Sequence, residues 1–235
     1  MEKLKLLYEG KAKRLYETAD PDVMIMEFKD SLTAFDGTKR DELLGKGEWN
    51  NQISAVVFEY LNGRGIPTHF LKLLSPRESL VKRLKMVPLE LVCRNLIAGS
   101  MAKRTGLPEG TPFKRPVIEF HFKADELHDP LYTEDLILAL EIVTEDELKN
   151  MREIGSEVNE TLRAFMDERD ILLVDFKLEF GYTNDGKLVV GDEITPDTCR
   201  LWNKLDMQKL DKDRFRRDLG DVAEAYQDVL SRVRK

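Results

Sequence analysis

Cysteine, histidine and long apolar runs are scarce in this chain. Its two cysteines and three histidines form no CxxC or HExxH motif, and they cannot build a disulfide framework or a four-thiolate zinc site. No apolar run approaches the roughly 20 residues that a membrane-spanning helix needs, so we expect no membrane partner. Because the first residues, MEKLK, are charged, we expect no signal peptide, and the cytoplasm is the expected compartment.

The charge balance is acidic. The 235 residues include 37 lysines and arginines against 44 aspartates and glutamates, a formal net charge of −7. A chain with this balance has no overall field that would hold the phosphate backbone of nucleic acid, so we expect no nucleic-acid partner. Small anionic ligands stay possible because a local basic cluster can outweigh the net charge. The length suits one large domain or two small lobes.

Strand patterns and helix patterns occupy separate parts of the sequence. Apolar residues that alternate or run together predict strands over 4–8, 14–16, 23–28, 117–122 and 171–194, the last as a hairpin. Helical spacing predicts helices over 48–61 and 100–104, from the capping box Thr144-x-x-Glu147 through Phe165, and from Asp213 to Val233. Because the two kinds of run do not alternate regularly, the predicted fold class is α+β, with antiparallel sheets.

A proline interrupts the apolar stretch from Val81 to Arg94. Pro88 has no N–H for a central ladder, so the stretch is predicted to form two strand segments that separate there. We place a lobe boundary at this point. The predicted lobes are a β-rich lobe over residues 1–86 and an α+β lobe over residues 87–235 that ends in the C-terminal helix.

The segment DFKLEF is the most informative part of the sequence. In a strand, alternate residues share a face, so Asp175, Lys177 and Glu179 lie together, opposite three apolar residues. The turn signal Asn184-Asp185-Gly186 predicts a hairpin with the following strand. If the loop has two residues, Glu179 lies directly opposite Asp192.

Two carboxylates that face each other destabilise a sheet. A divalent cation between them would reverse the sign, and Mg²⁺ is commonly held by one or two carboxylates together with substrate phosphates. Glu179 and Asp192 are therefore the predicted metal ligands. A solvent-facing hairpin whose acidic residues have no special role remains an open alternative here.

Three further motifs carry positive charge. The turn Glu9–Lys13 contains glycine and two lysines, and such a turn can fold over nucleotide phosphates. Arg94 ends a strand shortly before Gly99 and Ser100 open a helix, an arrangement that suits a phosphate group. Asp197-x-x-Arg200 could add a second guanidinium. Each motif has a structural alternative: a solvated hairpin, a buried arginine in a structural ion pair, and a loop ion pair.

These motifs resemble those of the phosphoribosylaminoimidazole-succinocarboxamide synthase (SAICAR synthetase) family. The matching segments follow the family's order and span nearly the whole chain: Tyr8–Lys13, Ala34–Gly37, Lys46–Gly47, Val92–Asn95, Ala98–Ser100, Asp175–Gly181, Gly191–Glu193, Pro196–Asp197, Arg200–Trp202 and Lys212–Arg216. The pair DFKLEFG and DE-x-x-PD-x-x-RLW is highly specific. One departure is Asn203, where many members have aspartate.

The resemblance implies a fold and a reaction. The implied fold has an N-terminal antiparallel-sheet lobe like that of protein kinases, a larger α+β lobe, and ATP in the cleft between them. The implied enzyme is an ATP-dependent carbon–nitrogen ligase of purine biosynthesis. It joins L-aspartate to carboxyaminoimidazole ribonucleotide (CAIR) and releases SAICAR, ADP and phosphate. Mg²⁺ is the implied metal, and a homodimer is the implied assembly.

The resemblance also implies roles for individual residues. The implied catalytic residues are Asp175, Lys177, Glu179 and Asp192, of which Glu179 and Asp192 hold Mg²⁺. The implied nucleotide-binding residues are Lys11, Ala12, Lys13, Lys82, Met86, Lys123, Glu179 and Asp192, with backbone near Lys82 and Met86 holding adenine. The implied substrate-binding residues are Asp36, Arg94, Ser100, Asp175, Lys177, Asp197 and Arg200.

Two other functions remain open from the sequence. A kinase-like phosphotransferase for another small acceptor would use the same ATP-binding parts without depending on aspartate. A regulatory module that binds nucleotide without catalysis would not need to keep both predicted metal ligands.

Overall fold

The computed structural model describes residues 1–34 and 37–235, and its two large sheets are built from antiparallel strand pairs. The strands are β1 (Leu6–Glu9), β2 (Lys13–Glu17), β3 (Val23–Phe28), β4 (Ser31–Ala34), β5 (Lys39–Glu42), β6 (Phe70–Ser75), β7 (Glu78–Lys82), β8 (Lys85–Leu96), β9 (Pro112–Phe122), β10 (Leu131–Tyr132), β11 (Ile171–Tyr182), β12 (Leu188–Gly191) and β13 (Cys199–Asn203). The α-helices are α1 (Lys46–Asn62), α2 (Ser100–Thr105), α3 (Glu134–Ala139), α4 (Glu145–Asp167), α5 (Asp213–Arg216) and α6 (Val222–Val233).

The first sheet contains strands from the N-terminal part of the chain, in the order β1-β2-β3-β7-β6. Its strands β3 and β7 contribute a small apolar cluster of Met24, Met26, Phe28 and Val81. Strand β3 supplies both methionines from alternate positions, so they share one face of the sheet. This face becomes part of the site described below.

The second sheet has the order β10-β9-β8-β11-β12, and β13 also pairs with β11. Helix α4 lies against it, and Gly155 makes that approach possible, since a Cβ there would lie 2.6 Å from Leu91 Cδ1. The main hydrophobic core includes residues of α1, α4, β8 and β11. The two long strands β8 and β11 are therefore held rigidly from their apolar side.

Helix α1 begins in close contact with the first sheet. A Cβ on Gly47 would lie 2.6 Å from the carbonyl oxygen of Phe28 and 2.7 Å from the Arg77 guanidinium, and the Gly47 N–H donates to Asp30 Oδ1 at 2.8 Å. We expect Gly47→Ala to lower the free energy of unfolding by about 1–3 kcal/mol, because the backbone must move to relieve the overlap. Urea denaturation measures this.

Gly63→Ala is the matched control at the other end of α1. Gly63 has helical dihedral angles, and a Cβ there would come no closer than 3.4 Å to the carbonyl oxygen of Glu59. Equal stability of the two alanine variants would contradict the steric explanation for Gly47.

Most predicted elements are confirmed, and the α+β class with antiparallel sheets is correct. The first three strands, helix α1 and the capping box of α4, with Thr144 and Glu147 bonded to each other's backbone N–H, lie where the patterns placed them. The sequence patterns gave no signal for several short elements, including β4, β5, β6 and α3. Among the described residues, no helix is long and apolar enough to cross a membrane.

Two predicted features are wrong. Strand β8 continues through Pro88 instead of breaking there, because the register of its pairing with β11 shifts between Glu179 and Gly181, where the missing N–H is accommodated. The predicted helix from Asp213 to Val233 is two helices, α5 and α6, separated by a segment with Gly220 at positive φ. The chain leaves the first sheet at Lys82 and enters the second at Lys85. The lobe boundary predicted at 86/87 falls inside β8, and the division into lobes stays a prediction.

Candidate active site

Strands β8 and β11 place the charged residues of the site. Their antiparallel register sets Glu90 opposite Glu179 and Arg94 opposite Asp175. The predicted row of charged residues on β11 is present. Asp175 and Glu179 are each only 4% exposed, so the alternative of a solvent-facing hairpin is wrong. Buried carboxylates need partners, and the partners define the chemistry of the site.

The predicted pairing of Glu179 with Asp192 is wrong by one residue. Glu179 lies opposite Gly191, because the hairpin loop is longer than two residues and closes with the Thr183 N–H donating to the Lys187 carbonyl at 3.0 Å. Asp192 follows the end of β12 with a left-handed backbone, φ 59°. Its carboxylate nevertheless lines the same cleft as Glu179.

This polar cleft has a volume of about 590 Å³ and lies between the glycine turn of the first sheet and the charged face of the second. Eight of the predicted site residues line it: Lys11, Ala12, Lys13, Lys123, Lys177, Glu179, Asp192 and Asp197. Asp36, which the sequence placed on the substrate side, lies outside the described residues.

Ammonium groups surround the two predicted metal ligands. Glu179 accepts hydrogen bonds from Lys177, at 2.8 Å, and from Lys123, while Lys13 donates to Asp192 and, at 2.8 Å, to Glu193. Burial acts to raise the pKa of Asp192, but Lys13 and Lys177 outweigh it and hold that pKa well below its usual value. Asp192 is therefore a carboxylate anion at neutral pH.

An apolar slot of about 400 Å³ adjoins the cleft. Its walls include Met24, Met26 and Val81, and Lys82 and Met86 line it where the chain passes from the first sheet to the second. The slot and the cleft share a further set of residues: Tyr8, Lys123, Glu179 and Asp192. A flat apolar ring in the slot would therefore place an attached charged group among the lysines.

Arg94 and Arg200 meet at one carboxylate. Arg94 donates to Asp175 at 3.0 Å and to Glu119 at 2.7 Å, and Arg200 donates to Asp175 at 2.9 Å and to Asp213 at 3.0 Å. The buried structural ion pair that the sequence left open for Arg94 is thus present. Asp175, which binds both arginines, lies two residues before Lys177 on β11 and therefore on the same face of that strand.

Gly99 lies directly against this cluster. A Cβ there would be 2.3 Å from the guanidinium of Arg200, and the backbone has a positive φ of 56°, so glycine is required on both counts. The next residue, Ser100, is exposed at the start of α2, as predicted. The structure thus brings Arg94, Ser100 and Arg200 to one region of the second sheet.

Asp197 has partners inside the protein that the sequence did not indicate. It lines the cleft, but both of its carboxylate oxygens are engaged, by Lys46 Nζ at 2.5 Å and by the Tyr226 hydroxyl at 2.6 Å. The sequence motif therefore located Asp197 correctly without revealing its partners, which come from α1 and α6.

Glu90 is a site residue that the sequence reasoning missed. It lines the cleft and accepts a hydrogen bond from Lys177 at 2.6 Å. Burial, with the charge of Glu179 adding to it, raises the pKa of Glu90 despite the nearby Lys177. A single acidic residue within the apolar run of β8 was the available signal.

The donor set fits a magnesium ion that is only partly held by protein. Among residues 1–34 and 37–235, no group of three or more histidine, cysteine, aspartate or glutamate side chains could enclose a metal ion. Two carboxylates, Glu179 and Asp192, do line one polar cleft. Magnesium keeps several waters and binds through one or two carboxylates plus substrate phosphates, so this hard oxygen pair fits it.

The fold and the site together define an α+β enzyme with two large antiparallel sheets and a polar cleft lined by residues of both. The SAICAR synthetase family matches residues 6–233. The chain therefore belongs to the SAICAR synthetase family, and the family and enzyme class expected from the sequence are confirmed.

Individual relatives agree over the full length. The phosphoribosylaminoimidazole-succinocarboxamide synthase of Coprothermobacter proteolyticus is 52% identical over 233 residues, which cover 99% of each chain. The phosphoribosylaminoimidazole-succinocarboxamide synthase of Ehrlichia chaffeensis is 43% identical in sequence to this chain. Its crystal structure superimposes with a TM-score of 0.96, and the match covers 98% of each chain. A type-2 SAICAR synthetase in complex with ADP is 46% identical, with a TM-score of 0.93 and 96% of each chain covered.

Proposed function

We propose that this protein catalyses the ATP-dependent joining of L-aspartate to the carboxylate of CAIR, giving SAICAR, ADP and phosphate. One observation carries the proposal beyond family membership. An apolar slot, a lysine-lined acidic cleft and a pair of arginines follow one another along the same strands. This order matches a reaction that must bring together a nucleotide, a carboxylate and a ribonucleotide phosphate.

Adenine would occupy the apolar slot. Met24, Met26 and Val81 offer apolar contact, and the backbone near Lys82 and Met86 supplies the polar groups at its edge. The ADP complex of a related synthetase supports nucleotide binding in this fold.

The phosphates of ATP would lie under the glycine turn. Lys11, the backbone of Ala12 and Lys13 come from the first sheet, and Lys123 comes from the second. These groups offset the repulsion between the phosphates and the carboxylates of the cleft.

Glu179 and Asp192 would hold Mg²⁺ against the phosphates. When bound, the ion supplies a positive charge that polarises the transferring phosphoryl group. The protein's own part is to hold both carboxylates in place, and Lys13 and Lys177 do this through the contacts described above.

The chemistry has to overcome the resistance of a carboxylate to attack by an amine. A carboxylate oxygen of CAIR attacks the terminal phosphorus of ATP, and the bond from that phosphorus to ADP breaks. The amine of aspartate then attacks the resulting acyl phosphate, loses a proton, and expels phosphate. Lys177 and Asp175 would orient CAIR for both steps, which depend on bringing anions together in a fixed geometry.

The 5′-phosphate of CAIR would bind beside the arginines. Arg94, Arg200 and Ser100 form the anchor, with Gly99 giving close access to the Arg200 guanidinium. By resemblance, Asp36 and Asp197 would also belong to the substrate-binding residues. We further propose a homodimer in the cytoplasm.

Product analysis with each substrate omitted in turn tests this function. The protein with Mg-ATP, CAIR and L-aspartate should form SAICAR and ADP in equal amounts, and omission of any one substrate should stop SAICAR formation. ADP release that continues at the same rate without aspartate would instead support a phosphotransferase for another acceptor. Absence of SAICAR from the complete mixture would contradict the proposal.

A further inference from the structure

A buried tyrosine of the C-terminal helix reaches the wall of the cleft. Tyr226 is fully buried in α6, and its hydroxyl donates to Asp197 Oδ1 at 2.6 Å. The other oxygen, Oδ2, accepts from Lys46, a lysine that is only 1% exposed. Asp197 is thus held from two sides by groups that do not themselves line the cleft.

A third cation lies close to the same carboxylate but does not bond to it. Lys212 lines the cleft, and its Nζ atom is 3.9 Å from Asp197 Oδ1, which is its single ion pair within the described residues. The oxygen nearest to Lys212 is the one that already accepts the Tyr226 hydroxyl. Burial lowers the pKa of Lys212, and the negative charge of Asp197 opposes this.

These contacts leave the ammonium group of Lys212 without a close hydrogen-bond partner among residues 1–34 and 37–235. The Lys212 side chain keeps 14% of its surface exposed where it lines the cleft, so a ligand that enters the cleft can reach the ammonium group and complete its hydrogen bonds. Both acidic substrates of the proposed reaction carry carboxylates, and either could supply the missing acceptor.

We infer that Tyr226 is a positioning residue, which together with Lys46 holds Asp197 away from Lys212 and so keeps the Lys212 ammonium available for a substrate carboxylate. This inference rests on the proposed function. Without the hydroxyl, Asp197 Oδ1 is free to close the 3.9 Å gap and form a direct salt bridge with Lys212. The substrate would then compete with the protein's own carboxylate for the same cation.

Tyr226→Phe tests the inference, since it removes one hydroxyl and keeps the packing of the ring. We expect the KM for CAIR or for L-aspartate to rise about tenfold, the loss typical of a hydrogen bond to a charged group, with an unchanged KM for ATP. Separate titrations of the two acids identify which carboxylate Lys212 binds. A purely structural role would lower thermal stability without changing one KM selectively.

Tyr182→Phe is the matched control. The Tyr182 hydroxyl also donates to a carboxylate, Glu147 Oε1 at 2.7 Å, but this pair lies outside the cleft. This variant should keep all three KM values, and Tyr226→Phe values equal to those of Tyr182→Phe would overturn the inference.

A double-mutant cycle shows whether Tyr226 acts through Lys212. Lys212→Met alone should raise the KM for the same acid, and Tyr226→Phe added to it should have no further effect. If turnover of Lys212→Met is too low, calorimetric titration of each acid in the presence of Mg-ADP replaces the KM. Additive effects, or a change in the KM for ATP, would overturn the inference. Failure of the wild-type protein to form SAICAR would instead contradict the proposed function itself.

Discussion

Replacing Glu179 by glutamine or Asp192 by asparagine is expected to lower kcat by about 100- to 1,000-fold, the range for losing one electrostatic group from an active site. Each change keeps the shape of the side chain and removes its charge. The amide ligates Mg²⁺ poorly, and it removes one of the two carboxylate partners of Lys177, which keeps Glu90, or of Lys13, which keeps Glu193. Steady-state turnover at saturating substrates measures the loss, and a Mg²⁺ titration should show that far more metal is needed.

Asp185→Asn is the control for both metal-ligand variants. Asp185 is an exposed acid in the loop of the same hairpin, outside the cleft, so its loss should leave kcat unchanged. Circular dichroism should show the same fold for all three variants. Turnover near the wild-type value in both Glu179→Gln and Asp192→Asn would contradict the metal assignment.

Arg94→Ala should raise the KM for CAIR by at least tenfold and the KM for ATP far less. The physical reason is position, because Arg94 lies at the arginine cluster and not in the apolar slot. The variant should also lose up to about 3 kcal/mol of stability, since removing one partner of a buried ion pair leaves each carboxylate with a single guanidinium partner, Arg200 for Asp175 and Arg104 for Glu119. Asp175 and Glu119 are the carboxylates affected.

Arg104→Ala separates binding from stability. Arg104 contacts the same Glu119 from the exposed side, so its removal should have little effect on either KM. Equal effects of Arg94→Ala on the KM values for CAIR and ATP would argue against a dedicated phosphate anchor. Lower stability with no change in either KM would leave Arg94 with a structural role alone.

The sequence predicted the fold best where a local pattern repeats over many residues. The apolar stripe of α4 is such a pattern, because every turn of the helix repeats the same signal, and the capping box at Thr144 marks where that helix begins. Pro88 misled the prediction because a proline was treated as a break in the strand. The shift in register with β11, which accommodates it, depends on a partner strand far away in the sequence.

The sequence was sufficient to predict which charged residues of the candidate site share one face of a strand. Alternation along β11 correctly grouped Asp175, Lys177 and Glu179. The pairing of Glu179 with Asp192 failed because loop length decides the register, and a single-residue error changes every pair. The partners of Asp197 could not be foreseen, since Lys46 and Tyr226 come from distant helices.

The continuous strand β11 also fixes the distance between two parts of the site. Asp175 and Glu179 are on one face of it, about 13 Å apart at a rise of roughly 3.3 Å per residue. Pairing with Arg94 and Glu90 on β8 fixes both ends of this interval at once. In the proposed reaction the substrate engages both ends and must match that length, so an imidazole nucleoside without its 5′-phosphate would reach only one of them. On the proposed function, the backbone of the sheet would thus select substrates by their length.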